Sequence, residues 1–388
     1  MYDIRRYSDQ YLPATLDLIE RSDSTSRTQN TWLNNPMTAV LAFEEQKLVG
    51  IIPFEKRELF LGVGHSLPAL WVSGAHVEPD HRSQGIGSAM DEKVGELFPD
   101  AQAVFAFRED EKSAAYRWYR RIGYVDICRI LSLKKSVISS SEEGLGSHVF
   151  ESEQDFLNKG PALLKCFQRR DGCAWGYPCR GKDFWAQKAK AHYYKEFYQY
   201  SLVTLEEKGE IQAYAFLGQT SMRDGVARFD ILEWVASEKN RLQEALHHAV
   251  NDLAKKKNLR EIRIQLSVND EELNWFRTQG YHVRWRTNII GKLLKPQDIL
   301  EKLCSHHMDF GLTWETPSGV IKCGKGSSRI HLFSHDEVLH KILLGRCNLK
   351  DLCAWGEVVV YEGELNKLSS LIDKMIFHPW IYFHIDYI

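Results

Sequence analysis

The sequence predicts a mixed α/β protein made of two copies of one unit followed by a smaller third part. Three observations lead there. Apolar strands alternate with amphipathic helices over roughly the first 290 residues of the 388. A seven-residue segment, W-Y-R-R-I-G-Y at 118–124, returns 157 residues later as W-F-R-T-Q-G-Y at 275–281. A stretch rich in Ser and Gly, 135–148, separates the copies. The expected divisions are 1–134, a linker at 135–148, then 149–292 and 293–388.

In the first copy, Leu12, Leu16 and Ile19 have helical spacing. Thr38–Phe43 and Lys47–Phe54 read as strands around a polar turn, and Pro68–Val77 as a further strand. Gly85–Phe98 reads as a helix with Ile86, Met90 and Val94 on one face; a strand at Ala101–Phe107, a helix at Ser113–Arg121 and a strand at Tyr124–Leu133 close the unit. In the second copy, helices are expected at Glu153–Arg169, with a break at Gly160-Pro161, at Asp183–Tyr193, Asn240–Lys256 and Asp270–Thr278. Strands are expected at Phe197–Glu206, Gly209–Gln219, Ala227–Val235, Glu261–Leu266 and Tyr281–Gly291. The last part reads as strands Phe310–Trp314, Gly319–Cys323 and Ser328–Phe333, then helices His335–Leu344 and Leu365–Ile376.

Fifty Lys and Arg nearly balance 52 Asp and Glu, so no chain-wide basic field exists to hold nucleic acid or an anionic membrane. The charged N-terminus has no apolar run behind it, which speaks against a secretory signal. The eight cysteines include no C-x-x-C pair; reduced thiols and a cytoplasmic location are expected. Cys304 with His306 and His307 is the nearest approach to a metal cluster, and no metal is expected there.

The chemistry concentrates at Val77–Met90. A strand ends, a polar turn follows, and Gly85 and Gly87 open an amphipathic helix, with Arg82 just ahead. Glycines let backbone N–H groups approach a phosphate, and a helix N-terminus adds partial positive charge. No Gly-Lys-Ser/Thr follows, so the stretch is not a Walker loop, and Met90 stands where a dinucleotide fingerprint needs its third glycine. The reading is a pyrophosphate cradle.

Arg82-x-x-Gly85-x-Gly87, followed by Ala115-x-x-x-Tyr119-x-x-x-Gly123-Tyr124, resembles the paired motifs of the GNAT superfamily of N-acetyltransferases over roughly residues 3–133. Two such units with a C-terminal domain ending in an aromatic-rich tail resemble the Eis-type acetyltransferases, whose third domain is similar to sterol carrier proteins. The resemblance therefore implies tandem GNAT domains followed by a small sterol-carrier-like α+β domain. It implies that Ala75, His76 and Val77 pair with the pantetheine arm of acetyl-CoA. Ser83, Gln84, Gly85, Ile86, Gly87 and Ser88 would hold the pyrophosphate, Ala114 and Ala115 would flank the thioester, and Tyr119 would be the general acid. The α-carboxylate of Ile388 would be the base, with His76 and Glu78 as alternatives. Ser83-Gln84 replaces the arginines that relatives often carry, which implies weaker phosphate binding.

The expected activity is acetyl transfer to a primary amine of a small molecule or a lysine, and the resemblance implies a homo-oligomer. The alternatives are an acyl-CoA-binding protein without turnover and a lipid carrier acting through the last domain. At the repeat offset, Gly85, Gly87 and Tyr119 fall on Leu242, Glu244 and Phe276, so no second coenzyme site is expected. Trp32, Trp71 and Phe107 are candidates for an acceptor pocket or for core. Cys173–Cys179 reads as a stiff aromatic loop.

Overall fold

The structure is a computed structural model that describes residues 2–22, 37–61, 66–108, 112–137, 147–171, 175–190, 197–221, 227–236, 241–268, 272–304, 310–344 and 349–364, with 366 and 369. Trp32, the loop at 172–174, Lys239, His306, His307, the helix expected at Leu365–Ile376, the aromatic tail and Ile388 lie outside the described residues. The described chain divides into two units. One contains the residues up to Arg129 and those from Thr287 onward; the other contains Ile130–Arg286.

In the first unit the sheet has β1 (Asp3–Arg6), β2 (Met37–Glu44), β3 (Lys47–Leu61), β4 (Ser66–Val72), β5 (His76–Val77) and β6 (Ala103–Arg108). Period-two alternation along β3 explains its two covered faces. Ile52 and Phe54 join a core with Ile86, Met90, Tyr119 and Tyr124, while Ile51 joins Leu18 and Ile19 of helix α1 (Leu12–Ser22). Two helices, α2 (Ile86–Glu92) and α3 (Val94–Leu97), stand where one was expected, because the chain tightens at Lys93, whose N–H bonds the Met90 carbonyl at 3.2 Å. Helix α4 (Ala114–Arg121) is capped by the Ser113 hydroxyl, which accepts from Tyr116 N–H at 3.0 Å.

The second unit contains the strands β8 (Ser147–Phe150), β9 (Trp175–Pro178), β10 (Phe197–Glu207), β11 (Glu210–Ser221), β12 (Ala227–Ala236) and β13 (Glu261–Ser267), and the helices α5 (Glu153–Asp171), α6 (Phe184–Lys190), α7 (Arg241–Lys256) and α8 (Glu272–Thr278). Helix α5 runs through Pro161 without the expected break. Leu242, Leu246 and Val250 of α7 pack into one core with Phe276 and Tyr281.

The closing strands bear out the repeat in an unexpected way. β7 (Val125–Ser136) and β14 (His282–Leu293) are the same twelve positions of the repeat, 157 residues apart. Asn288–Leu293 pairs antiparallel with β6 in the first unit, and Ile130–Ser136 pairs antiparallel with β13 in the second. The last strand of each copy thus completes the sheet built by the other. β7 extends to Ser136 and β8 begins at Ser147, so both ends of the expected linker 135–148 are strand.

The described residues of the C-terminal part group with the first unit. It holds a four-stranded sheet in the order β16 (Gly319–Cys323), β15 (Phe310–Thr316), β17 (Ser328–Ser334), β18 (Val358–Glu362), with helices α9 (Pro296–Cys304), α10 (Asp336–Leu343) and α11 (Leu349–Ala354). Arg120 of α4 bonds Glu337 of α10 at 2.7 Å, and Leu294 N–H bonds the Gln102 carbonyl at 2.8 Å. No described helix is long and apolar enough to cross a membrane.

Candidate active site

The site begins where a strand stops. β4 runs parallel to β6 from Ala69↔Ala103 to Val72↔Ala106. The chain then turns at Ser73-Gly74-Ala75, with Gly74 at φ +95°, and resumes as β5 on β3 through Ile51↔His76 and Gly50↔Val77. A side chain at that φ is disfavoured, so Gly74 breaks the expected strand Pro68–Val77 in two. An opening results between β5 and the end of β6. Glu78 N–H is taken up by the Val49 carbonyl at 2.9 Å, so by strand alternation the Val77 N–H and carbonyl face the opening.

The loop after β5 is exposed from Arg82 to Gly85. Ser83 at φ +64° and Gly85 at φ +83° both take the left-handed conformation, and Gly85 is the N-cap of α2. A Cβ placed on Gly85 would meet nothing within 4 Å. The loop's side chains are largely occupied within the protein. Arg82 Nε bonds the Val77 carbonyl at 3.0 Å; Gln84 accepts from Tyr2 Oη at 2.7 Å and donates to the Asp80 carbonyl at 2.9 Å. Ser88 Oγ accepts from Trp118 Nε1 at 3.2 Å, and Gly87 lies so near that a Cβ there would sit 3.1 Å from Trp118 Cζ2. What the loop leaves for an anion is backbone N–H, the donor type that a pyrophosphate cradle uses. Arg82, expected to lend its charge to phosphate, is exposed and also ties the loop to β5 through its Nε.

Ala114 and Ala115 are exposed on the first turn of α4. Tyr119 is 1% exposed, edge-on to Trp118 at 4.4 Å and Tyr124 at 4.8 Å. Its hydroxyl is buried with no partner in hydrogen-bond geometry among the described residues. Burial pushes its pKa up, and the Arg108 guanidinium, 4.3 Å from the ring centroid, works in the opposite direction. Tyr124 Oη donates to buried Asp91 at 3.0 Å, and Lys292 of β14 pairs with the same carboxylate at 2.8 Å.

Glu78, an alternative base, is 8% exposed and paired with two cations, Lys47 at 2.8 Å and Arg21, with His81 Nδ1 at 3.3 Å. The hydrogen bond from Lys47, with Arg21 adding to it, outweighs burial and holds the carboxyl below its usual pKa. That makes it a weaker proton acceptor than a free carboxylate. Trp71 is 6% exposed, stacked on Phe105 at 5.9 Å and packed on Phe107 at 5.5 Å, so it is core.

The second copy preserves the scaffold without the cradle. Trp275, Phe276 and Tyr281 repeat the ring packing at 4.9 and 5.1 Å, and Gly280 repeats the φ of Gly123 at +85° against +92°. β12 runs unbroken to Ala236. Glu233, at the repeat position of His76, is buried and satisfied by Arg180, Trp185 Nε1 at 2.6 Å and Tyr214 Oη at 3.0 Å. Leu242 is buried where the first copy has Gly85.

Residues 3–124 match the family model of the acetyltransferase (GNAT) family. The match takes in β1 to β6, the loop at Arg82–Gly85 and helix α4, and covers less than half of the chain. Comparison with curated proteins returns no match. Among solved structures, a conserved protein of unknown function from Enterococcus faecalis, described as a probable N-acyltransferase, aligns over 99% of this chain and 98% of its own at 11% identity, with a TM-score of 0.69. A GCN5-related N-acetyltransferase from Anabaena variabilis aligns over 98% and 99% at 16% identity, TM-score 0.68. Eis1 from Mycobacterium abscessus aligns over 98% and 97% at 14% identity, TM-score 0.61. At these identities the likeness is one of fold, and it extends beyond residues 3–124 to nearly the whole chain. The sequence reading missed Arg108, Asp91 and Lys292. The one available signal was that Lys135 and Lys292 are repeat equivalents, each placed over the tyrosine of its unit, Tyr281 at 5.8 Å and Tyr124 at 6.0 Å.

Proposed function

We propose that this chain transfers an acetyl group from acetyl-CoA to a primary amine of a small molecule or a lysine, in the manner of the Eis-type enzymes. The observation that supports the reading is the break in pairing between β5 and the end of β6, next to an exposed glycine-containing loop that opens helix α2. In this reading the pyrophosphate lies on Ser83–Ser88, and the pantetheine arm pairs with Ala75, His76 and Val77. Ala114 and Ala115 border the thioester. The amine attacks the thioester carbon, the Val77 N–H meets the developing oxyanion, and Tyr119 donates a proton to the departing sulfur. The base is the α-carboxylate of Ile388 or His76. Residues 293–388 take the place of the sterol-carrier-like domain, and the chain works as a homo-oligomer.

The test is thiol release from acetyl-CoA across a panel of amines, with aminoglycosides, polyamines and lysine peptides included. Release that depends on the amine, with an acetylated product of the expected mass, supports the reading. Tight coenzyme binding without turnover on any amine would replace it with a binding role.

A further inference from the structure

Resting on the reading of Tyr119 as the acid, we infer that Arg108 is a positioning residue that makes the buried Tyr119 phenol able to give up its proton. A phenol has a reference pKa near 10 and a thiol near 8.5, so handing the proton to a departing thiolate is about 30-fold uphill even in water. Burial of Tyr119 makes it harder, because the phenolate loses its hydration. A compensating charge is needed, and the groups facing the ring identify it.

Trp118 and Tyr124 are neutral rings against its edges. Asp91 on α2 opposes ionisation, but its carboxylate is paired with Lys292 and bonded by Tyr124. Arg108, the last residue of β6, lies over the ring face at 4.3 Å and favours the phenolate. Its position is fixed by backbone as well as by stacking. Arg108 pairs with Asn288 of β14, and its carbonyl accepts from Thr287 Oγ1 at 3.0 Å. Its Nε is buried with no hydrogen-bond partner among the described residues, as is the Tyr119 hydroxyl. The pair therefore lies where β6 ends.

The step balances without a further reactant. The amine lone pair forms the C–N bond, the C–S bond breaks with its electron pair on sulfur, and sulfur takes the Tyr119 proton. The phenolate stands against Arg108 until it recovers a proton, which the acetylated nitrogen has released to the base and solvent.

The experiment is a double-mutant cycle on kcat with the best amine of the panel: wild type, Arg108→Gln, Tyr119→Phe and the double variant, with Arg108→Lys as the conservative change. Arg108→Gln is expected to lower kcat about tenfold or more, at the lower end of what proton-transfer assistance contributes. Arg108→Lys should recover most of that loss, and coenzyme Kd should be unchanged throughout. In the Tyr119→Phe background Arg108→Gln should cost less than about twofold, because no proton donor is left to assist. An equal loss in both backgrounds would make Arg108 structural and overturn the inference while leaving the acid role of Tyr119 standing. Wild-type turnover in Tyr119→Phe would remove both. If Arg108→Gln melts early, Arg108→Met keeps the apolar stem over the ring and repeats the comparison.

Discussion

Gly85→Ala separates a ligand effect from a folding effect. At φ +83° an alanine is strained, at about 1–2 kcal/mol for a left-handed residue. The unfolded chain loses freedom with the added methyl, which returns about 0.4–1 kcal/mol. The net cost is on the order of 1 kcal/mol, a fall in melting temperature of about 2–4 °C for a unit of this size. No steric contribution is added, since a Cβ there meets nothing within 4 Å. Gly209, in the two-residue turn between β10 and β11, has φ +76° and equally open surroundings. Gly209→Ala should therefore cost about the same stability by the same mechanism.

The two variants should differ in coenzyme binding. If phosphate fills the space beside Gly85, the methyl displaces it, and a misfit of about 1.4–3 kcal/mol raises Kd by roughly ten- to a hundredfold. Titration calorimetry with acetyl-CoA, alongside thermal melts of both variants, provides the assay. Gly85→Ala should bind at least tenfold more weakly, and Gly209→Ala at wild-type affinity. Matched melting losses with unchanged affinity in both would show that the cradle is elsewhere.

Tyr119→Phe should lower kcat by about 10²–10⁴ and leave melting temperature and coenzyme affinity alone, because the lost hydroxyl had no hydrogen-bond partner to strand; a loss under threefold with chemistry rate-limiting returns the residue to a packing role. Two residues added after Ile388 should abolish turnover while coenzyme binding survives, whereas Ile388→Phe is tolerated; full activity of the extended chain, against an N-terminally tagged reference, points to His76 as base. Glu78→Gln should retain turnover, and its collapse would restore Glu78 as the base. Because the folded pKa of Glu78 is depressed, its stabilising contribution is present above the unfolded value of about 4.3 and fades as pH falls through the lower folded value, so melts from pH 6 to pH 3 should decline less steeply in the Gln variant.

The sequence by itself determined the local elements, the repeat and the glycine-containing loop ahead of α2. Strand and helix periodicities depend on near neighbours, so β2, β10, β11, α7 and α10 lie within a few residues of expectation. The spacing of Arg82, Gly85 and Gly87 before a helix was legible because the motif is contiguous. Glycine also decided one local error: Gly74 was read as part of a strand, yet its positive φ separates β4 from β5 and creates the opening. Only the tertiary structure decided the rest, because each remaining feature joins residues far apart in the chain. Nothing in a repeat of 157 residues says that β14 pairs with β6 while β7 pairs with β13, since hydrogen-bonded edges are chosen by long-range packing. The same distance hid the cations from Arg21 and Lys47 that depress Glu78. It hid Arg108 over Tyr119 as well, because a side chain's electrostatic surroundings are set by what folding brings against it.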